Sequence, residues 1–137
     1  MPHAPATPEQ LFRTGLEHLW GGDVQGWLDT FTDDVVFEFP FAPKDRPKRL
    51  VGKEALASYI QDLPETLSVD RAPHLTVHET TDQSTVVIEM SISATVKATG
   101  AAYDQDYVII LWTSDGKVTR YRDYWNPLVG ADLGGDA

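Results

Sequence analysis

Hydrophobic positions along the chain recur first at helical and then at strand spacing. Leu11, Phe12, Gly15, Leu16, Leu19 and Trp20 fall on one helical stripe. Thr7-Pro8-Glu9-Gln10 supplies its start: Thr7 can cap, Pro8 suits the first helical position, and Gln10 stands where a capping box needs it. Gly21-Gly22 stops this helix. Val24, Trp27, Leu28 and Phe31, at i, i+3, i+4 and i+7, predict a second short helix. After Asp33-Asp34 the period drops to two. Val35, Phe37, Phe39 and Phe41 alternate with Val36, Glu38 and Pro40, which predicts a strand with one aromatic face. Residues 42–49 hold Pro43, Pro47 and four basic residues and read as a loop. Leu50-Val51 reads as a short strand. Gly52-Lys53-Glu54 opens a third helix, with Leu56, Tyr59, Ile60 and Leu63 on one stripe and Pro64 as its stop.

The remainder alternates. His74 to Thr80 does so weakly. Val86, Ile88, Met90, Ile92, Ala94 and Val96 form one face of a strand that would span roughly 40 Å, so it must curve or meet a bulge. Tyr103 to Trp112 and Val118 to Trp125 are two further strands, joined by Asp115-Gly116, a strong hairpin signal. Helices first, then a run of antiparallel strands, is the order of an α+β fold. A strongly curved, mainly antiparallel sheet with the N-terminal helices on its concave face makes a cone-shaped α+β barrel with an open end. The expectation is one domain over residues 1–137, with 1–6 and 127–137 as flexible tails.

Composition narrows the function. The chain has 137 residues and no cysteine, which removes disulfides, thiolate chemistry and zinc–cysteine sites. Twenty-one acids against 11 Lys plus Arg give a formal charge of -10, which disfavours phosphate backbones and anionic membranes as partners. No apolar run is long enough for a membrane helix and the N-terminus has no signal-peptide pattern, so the expected location is the cytoplasm. Against this acidic background stand four Trp, five Tyr and five Phe.

Those rings mark the candidate site. Phe37, Phe39 and Phe41, with Met90 and Ile92 from the long strand, would line the cone and select a flat, apolar ligand. The alternative is that they simply fill a core. Asp123 shares strand parity with Thr119, Tyr121 and Trp125. A carboxylate among rings is held toward its neutral form and can act as a general acid or base; otherwise it pairs with Arg120 or Arg122. Tyr59, Tyr103, Tyr107 and Tyr121 can hydrogen-bond a ligand carbonyl while burying their rings, and Tyr121 is favoured because it shares the Asp123 face. His18, among Leu16, Leu19 and Trp20, could project toward the pocket. His74 and His78 lie on a strand roughly 13 Å apart, too far for one metal ion. Lys44, Arg46, Lys48, Arg49 and Lys53 form either a rim that steers an anionic substrate or a solvated loop.

Three stretches resemble the SnoaL-like, nuclear-transport-factor-2-like superfamily. They are Trp20-Gly21-Gly22-Asp23-Val24 between the first two helices, Phe31-Thr32-Asp33-Asp34-Val35-Val36-Phe37-Glu38-Phe39-Pro40 entering the first strand, and Asp115-Gly116-Lys117-Val118-Thr119-Arg120-Tyr121-Arg122-Asp123-Tyr124-Trp125 at the end. Gly52-Lys53-Glu54-Ala55 also matches the start of the family's third helix. The superfamily holds ketosteroid isomerase and limonene epoxide hydrolase. Carried over position by position, the isomerase's base falls on Phe39, its oxyanion tyrosine at about Gly15, and its second oxyanion group near Val108, two residues from Asp106. Of the hydrolase's groups only the final Asp survives, as Asp123; the others fall on Met90, Ile92, Phe37 and Phe39.

The resemblance implies a small cofactor-free enzyme. It would act by acid/base catalysis on a polyketide-like or terpenoid-like intermediate, in a cyclisation, isomerisation or proton shift. Asp123 would be the acid/base, with Tyr121 or His18 polarising or positioning. Trp20, Phe37, Phe39, Phe41, Tyr59, Met90, Ile92, Tyr107 and Trp125 would hold the ligand, and no metal is expected. It also implies a homodimer. The competing expectations are a non-catalytic binding or dimerisation module and, third, an epoxide hydrolase with a rearranged site.

Overall fold

The chain folds as a curled six-stranded sheet whose strands run in the order β2-β1-β6-β5-β4-β3, with helices laid against it. The strands are β1 (Phe31–Glu38), β2 (Arg49–Val51), β3 (Leu67–Glu79), β4 (Thr85–Val96), β5 (Ala102–Ser114) and β6 (Lys117–Trp125). The helices are α1 (Pro8–Trp20), α2 (Val24–Leu28), α3 (Lys53–Ile60) and α4 (Leu63–Thr66). This computed structural model describes residues 6–129, and of residues 71–73 the backbone alone. The expected tails therefore lie mostly outside the described residues. Within them Val129 closes a turn on Asn126 and packs against the core.

All strand pairs are antiparallel except β1 with β6, which is parallel. The β4–β5 ladder runs without a break from Thr85 opposite Trp112 to Thr95 opposite Ala102. The bulges that a strand of that length demands sit on its neighbour β3 instead, between Val69 and Arg71 and between Arg71 and His74. A further irregularity lies on β6, where Thr119 is the extra residue between Val118 and Arg120. Bulges bend and twist the strand that carries them. They also explain why the sequence pattern locates β3 only from His74 onward: seven earlier residues carry the irregular register, and Pro73 breaks the alternation.

Local chemistry fixes the element ends. Thr7 and Gln10 form the capping box of α1, with the Gln10 N–H donating to Thr7 Oγ1 at 3.1 Å and the Thr7 N–H to Gln10 Oε1 at 2.9 Å. α2 is shorter than its pattern suggests. Thr30 bonds back to the Trp27 carbonyl at 2.7 Å, and Phe31 opens β1 opposite Val118. β1 in turn stops at Glu38. Pro40 has no N–H to offer a ladder, and the Ala42 N–H closes on the Phe39 carbonyl at 3.1 Å. That turn breaks the two-residue period, so Phe39 stays buried while Phe41 points outward. Pro64 does not end α3, which already stops at Ile60; it sits in the first turn of α4, where a missing N–H costs nothing. Asp115 and Gly116 both take positive φ (52° and 77°), the two-residue hairpin geometry matched to strand twist.

Leu11, Phe12, Leu16 and Leu19 of α1 join Phe31, Phe37, Ile88, Ile109, Leu111 and Val118 of the sheet in one buried cluster. No helix among the described residues is long and apolar enough to cross a membrane. Gly52 is the hinge between sheet and α3. At φ 94° and ψ 151° it lies in a region that is essentially glycine's own, while its N–H holds the Val35 carbonyl at 2.8 Å. Gly52→Ala should therefore lower unfolding stability by about 1–3 kcal/mol, read from urea denaturation. An unchanged midpoint would mean the backbone there is not constrained.

Candidate active site

Between the helices and the inner sheet face lies a cavity of about 470 Å³. Its walls come from every layer of the fold. Leu16, Leu19 and Trp20 come from α1, Trp27 from α2, Phe37 from β1, Leu56 and Tyr59 from α3, and Leu67 and Val69 from β3. Met90 and Ile92 come from β4, Tyr103, Tyr107 and Ile109 from β5, and Tyr121, Asp123 and Trp125 from β6. Asp45, Arg46, Asp62, Thr66 and Asp123, together with the tyrosine hydroxyls, are set among these apolar side chains, the mixed lining of small-molecule sites.

The rings are in mutual contact. Phe37 stacks on Tyr121 (centroids 4.2 Å, 12° between planes), and Phe39 touches Phe37, Tyr59 and Trp125 at 5.0, 5.1 and 5.1 Å. Phe37 and Tyr121 are buried, so this part of the aromatic face is core as well as wall. The two readings of the aromatic stripe are thus both realised, one behind the other.

Asp123 stands in this wall because of strand parity. On β6, Tyr121, Asp123 and Trp125 face inward, while Arg120 and Arg122 face out. Both arginines are taken by one acid: Glu38 Oε1 accepts from Arg120 at 2.8 Å and from Arg122 at 3.2 Å. Their guanidinium groups also lie over the Trp112 ring, at 5.1 and 5.0 Å. The Arg120 hydrogen bond holds the Glu38 carboxyl below its usual range, Arg122 adding to it against the opposing effect of burial. Neither cation is left for Asp123. Asp123 Oδ1 is closed off from solvent and accepts no hydrogen bond among the described residues. Desolvation pushes its pKa from 3.8 up to about 7.

Three phenols surround this carboxyl. Burial, and then the nearby Asp123 charge, raise Tyr107 and Tyr121 well above the ordinary phenol value. Tyr59 is raised chiefly by burial, with Arg46 beside it pulling the other way and Asp123 adding a small upward push. All three hydroxyls therefore keep their protons and can donate. Tyr103 is held by Gln105, whose Nε2 donates to its hydroxyl at 3.2 Å and to the Asn126 carbonyl at 3.1 Å. Gln105 Oε1 accepts from the Asn126 N–H at 2.9 Å, which pins the end of β6 just past Trp125.

Ten of the residues expected in the site line this cavity: Asp123, Tyr121, Trp20, Phe37, Phe39, Tyr59, Met90, Ile92, Tyr107 and Trp125. Two do not. Phe41 is 56% exposed beyond its turn and packs edge-on against Tyr124 on the outer face, at 5.2 Å. His18 falls on the opposite side of α1 from Leu16, and its Nδ1 lies 3.0 Å from Asp23 Oδ2, bracing the α1–α2 turn. Asp106 also points outward, accepting from Ser91 Oγ at 2.7 Å. At position 15 a Cβ would stand 3.2 Å from the Trp27 ring, so a side chain there requires that ring to shift. Gln105 went unnoticed in the sequence, although a polar residue sharing parity with Tyr103, Tyr107 and Ile109 was the available signal.

Comparison with known proteins places the fold. A Bacillus subtilis protein without an assigned role, YesE, is 38% identical over 120 residues, covering 88% of this chain and 82% of its own. A solved structure from Bacillus subtilis, provisionally named an isomerase, superposes with a TM-score of 0.88 at 36% identity, covering 94% of each chain. A Pseudomonas putida structure provisionally named a polyketide cyclase shares the fold, with a TM-score of 0.74 at 19% identity over 88% of this chain and 92% of that one. The profile of the SnoaL-like domain matches residues 12–121, and the chain belongs to that family.

Proposed function

We propose that the protein catalyses a proton shift, isomerisation or cyclisation of an apolar, ring-bearing carbonyl compound, with Asp123 as the acid/base and without a cofactor. The observation that carries this reading is the inward carboxyl with a buried, unpartnered oxygen in a ligand-sized cavity. A general acid/base works best when its pKa lies near the working pH, and desolvation brings Asp123 to about 7. The names of the structural relatives, an isomerase and polyketide cyclases, point the same way.

The chemistry needs only groups of this chain. The ionised Asp123 takes a proton from carbon next to a carbonyl. The C–H bond breaks, its electron pair passes into the enolate oxygen, and a phenol hydroxyl of Tyr107, Tyr121 or Tyr59 donates to that oxygen. The protonated Asp123 then returns its proton to a different atom of the same molecule, so nothing is gained or lost overall. The aromatic wall holds the ligand flat beside Asp123, and the open cavity lets the proton on Asp123 exchange with solvent before it is returned.

Two outcomes are expected. The first concerns activity. The protein should accelerate α-hydrogen exchange of 2-tetralone in deuterium oxide, followed by NMR, with a pH limb whose midpoint is near 7. Asp123→Asn should cut that rate about 100-fold or more while leaving affinity for the ketone nearly unchanged. No acceleration, or acceleration that survives in the variant, points to a binding module.

The second concerns stability. A raised carboxyl pKa means that between 3.8 and about 7 the folded chain keeps a proton the unfolded chain releases. Stability is therefore lost as pH rises through that window and stays lost above it. Asp123→Asn removes this penalty. Relative to wild type it should gain with pH, by up to about 4 kcal/mol at pH 8. Urea unfolding at pH 4 and pH 8 measures the gain, and parallel behaviour of the two proteins would place Asp123 at an ordinary pKa.

A further inference from the structure

Gln105 is 2% exposed and takes no part in the proton transfer. Its amide is fully engaged. Oε1 accepts from the Asp106 N–H at 3.0 Å and from the Asn126 N–H at 2.9 Å, while Nε2 donates to the Asn126 carbonyl at 3.1 Å and to the Tyr103 hydroxyl at 3.2 Å. Two acceptor positions and two donor hydrogens are all that a side-chain amide has. The orientation is forced. A turned-over amide would set its NH2 against two backbone N–H groups and its oxygen against a carbonyl. The Tyr103 hydroxyl therefore meets an N–H and can only accept from it. Its own hydrogen is turned away from the amide, and Tyr103 makes no other hydrogen bond among the described residues.

That hydrogen is held among apolar side chains. Tyr103 is 6% exposed and lines the cavity. On the sheet Ala94 stands opposite it, Val69 stands beyond Ala94, and Ile92 stands opposite Gln105. A hydroxyl hydrogen kept from water is unfavourable until an acceptor meets it. Asp123 lies elsewhere in the wall. It stands opposite Ile109, six residues further along β5, which is about 20 Å of strand. Tyr103 leans back toward Gln105 over part of that length, but the carboxyl and the hydroxyl belong to different stretches of the sheet. The donor is also single and neutral. It suits one neutral oxygen, a ketone; a carboxylate would bring a charge and further lone pairs that this hydroxyl leaves unmet.

We propose that the Tyr103 hydroxyl, aimed by Gln105, binds a ketone oxygen of the ligand, so that the substrate is a ring compound with two separated carbonyl groups: one beside the carbon that Asp123 deprotonates and a remote one held by Tyr103. The placing of the first rests on the proton-transfer reading of Asp123; the hydrogen bond to the second does not. Tyr103 is then a substrate-binding residue and Gln105 its positioning residue.

The test pairs two ligands with several proteins. 6-Acetyl-2-tetralone and 6-isopropenyl-2-tetralone share the ring ketone and differ in the remote group, a carbonyl oxygen against a methylene of the same shape. Dissociation constants come from tryptophan fluorescence and calorimetry at pH 7. The ratio of acetyl to isopropenyl affinity should be about fivefold or more higher in wild type than in Tyr103→Phe. Tyr124→Phe, the same deletion on the outer face against Phe41, should keep the wild-type ratio within about twofold. Gln105→Glu leaves the phenol in place but sets a carboxylate oxygen where the N–H was. The Tyr103 hydrogen then turns to that oxygen, and the ratio should fall as it does in Tyr103→Phe. Thermal midpoints establish that each variant is folded; should Gln105→Glu not fold, Tyr103→Phe against Tyr124→Phe decides alone. A ratio unchanged by Tyr103→Phe, an equal fall in Tyr124→Phe, a ratio untouched in folded Gln105→Glu, or no binding of either ligand overturns the proposal. Because the readout is affinity, it separates from the Asp123 reading. In Asp123→Asn the ratio should persist even where α-hydrogen exchange is lost, and exchange that continues in a protein whose ratio ignores Tyr103 removes the anchor alone.

Discussion

The site depends on how charge is divided between the two faces of β6. Three charged side chains follow one another closely on that strand, and strand parity sends Arg120 and Arg122 outward and Asp123 inward. Left to themselves, two cations beside one buried acid would neutralise it. Glu38, arriving on the parallel neighbour β1 opposite Arg122, captures both arginines on the outer face. The consequence is electrostatic isolation: Asp123 is half-buried with Oδ1 sealed from solvent and unpaired, which is unfavourable for folding and useful for proton transfer. A one-residue slip of β6 would exchange the two faces and bury the arginines instead. The Gln105 bonds to Asn126 and the Asp115-Gly116 turn hold the register from both ends of the strand.

The same strand also carries part of the cavity wall. Along the β5–β6 ladder the inward pairs change character. Leu111 faces Tyr121, Ile109 faces Asp123, and Tyr107 faces Trp125, with Tyr103 and Gln105 beyond. Apolar side chains close-pack and fill their end, where Ile109 and Leu111 are 1% exposed. Further along the ladder the inward side chains are Asp123, Tyr107 and Trp125, and they line the open cavity.

Much of this was legible in the chain before it was folded. The parity that puts Asp123 among rings, the capping box at Thr7, the Asp115-Gly116 hairpin and the order of elements all follow from local rules, and they survive because tertiary contacts agree with them. The departures come from contacts that the residue pattern does not encode. Phe41 leaves the aromatic face because Ala42 bonds back to Phe39. His18 leaves the pocket because Asp23, five residues on, is both the cap of α2 and its partner. The first half of β3 is hidden by bulges whose register is set by β4. Arg46 could not be told from its four basic neighbours, since which of them turns inward is decided by the Pro43 turn and by Tyr59 on a separate helix.

The charge of the whole chain and the charge of the pocket also act over different distances. A net charge of -10 produces a field that salt screens over about 8 Å. It governs which large anionic surfaces approach, not what happens inside a cavity walled by side chains. There the dielectric is low and single groups dominate. Asp123 and Arg46 both line the pocket, so an acid and a cation meet there although the molecule is strongly acidic. What the pocket admits is therefore set by its own walls and not by the charge of the outer surface.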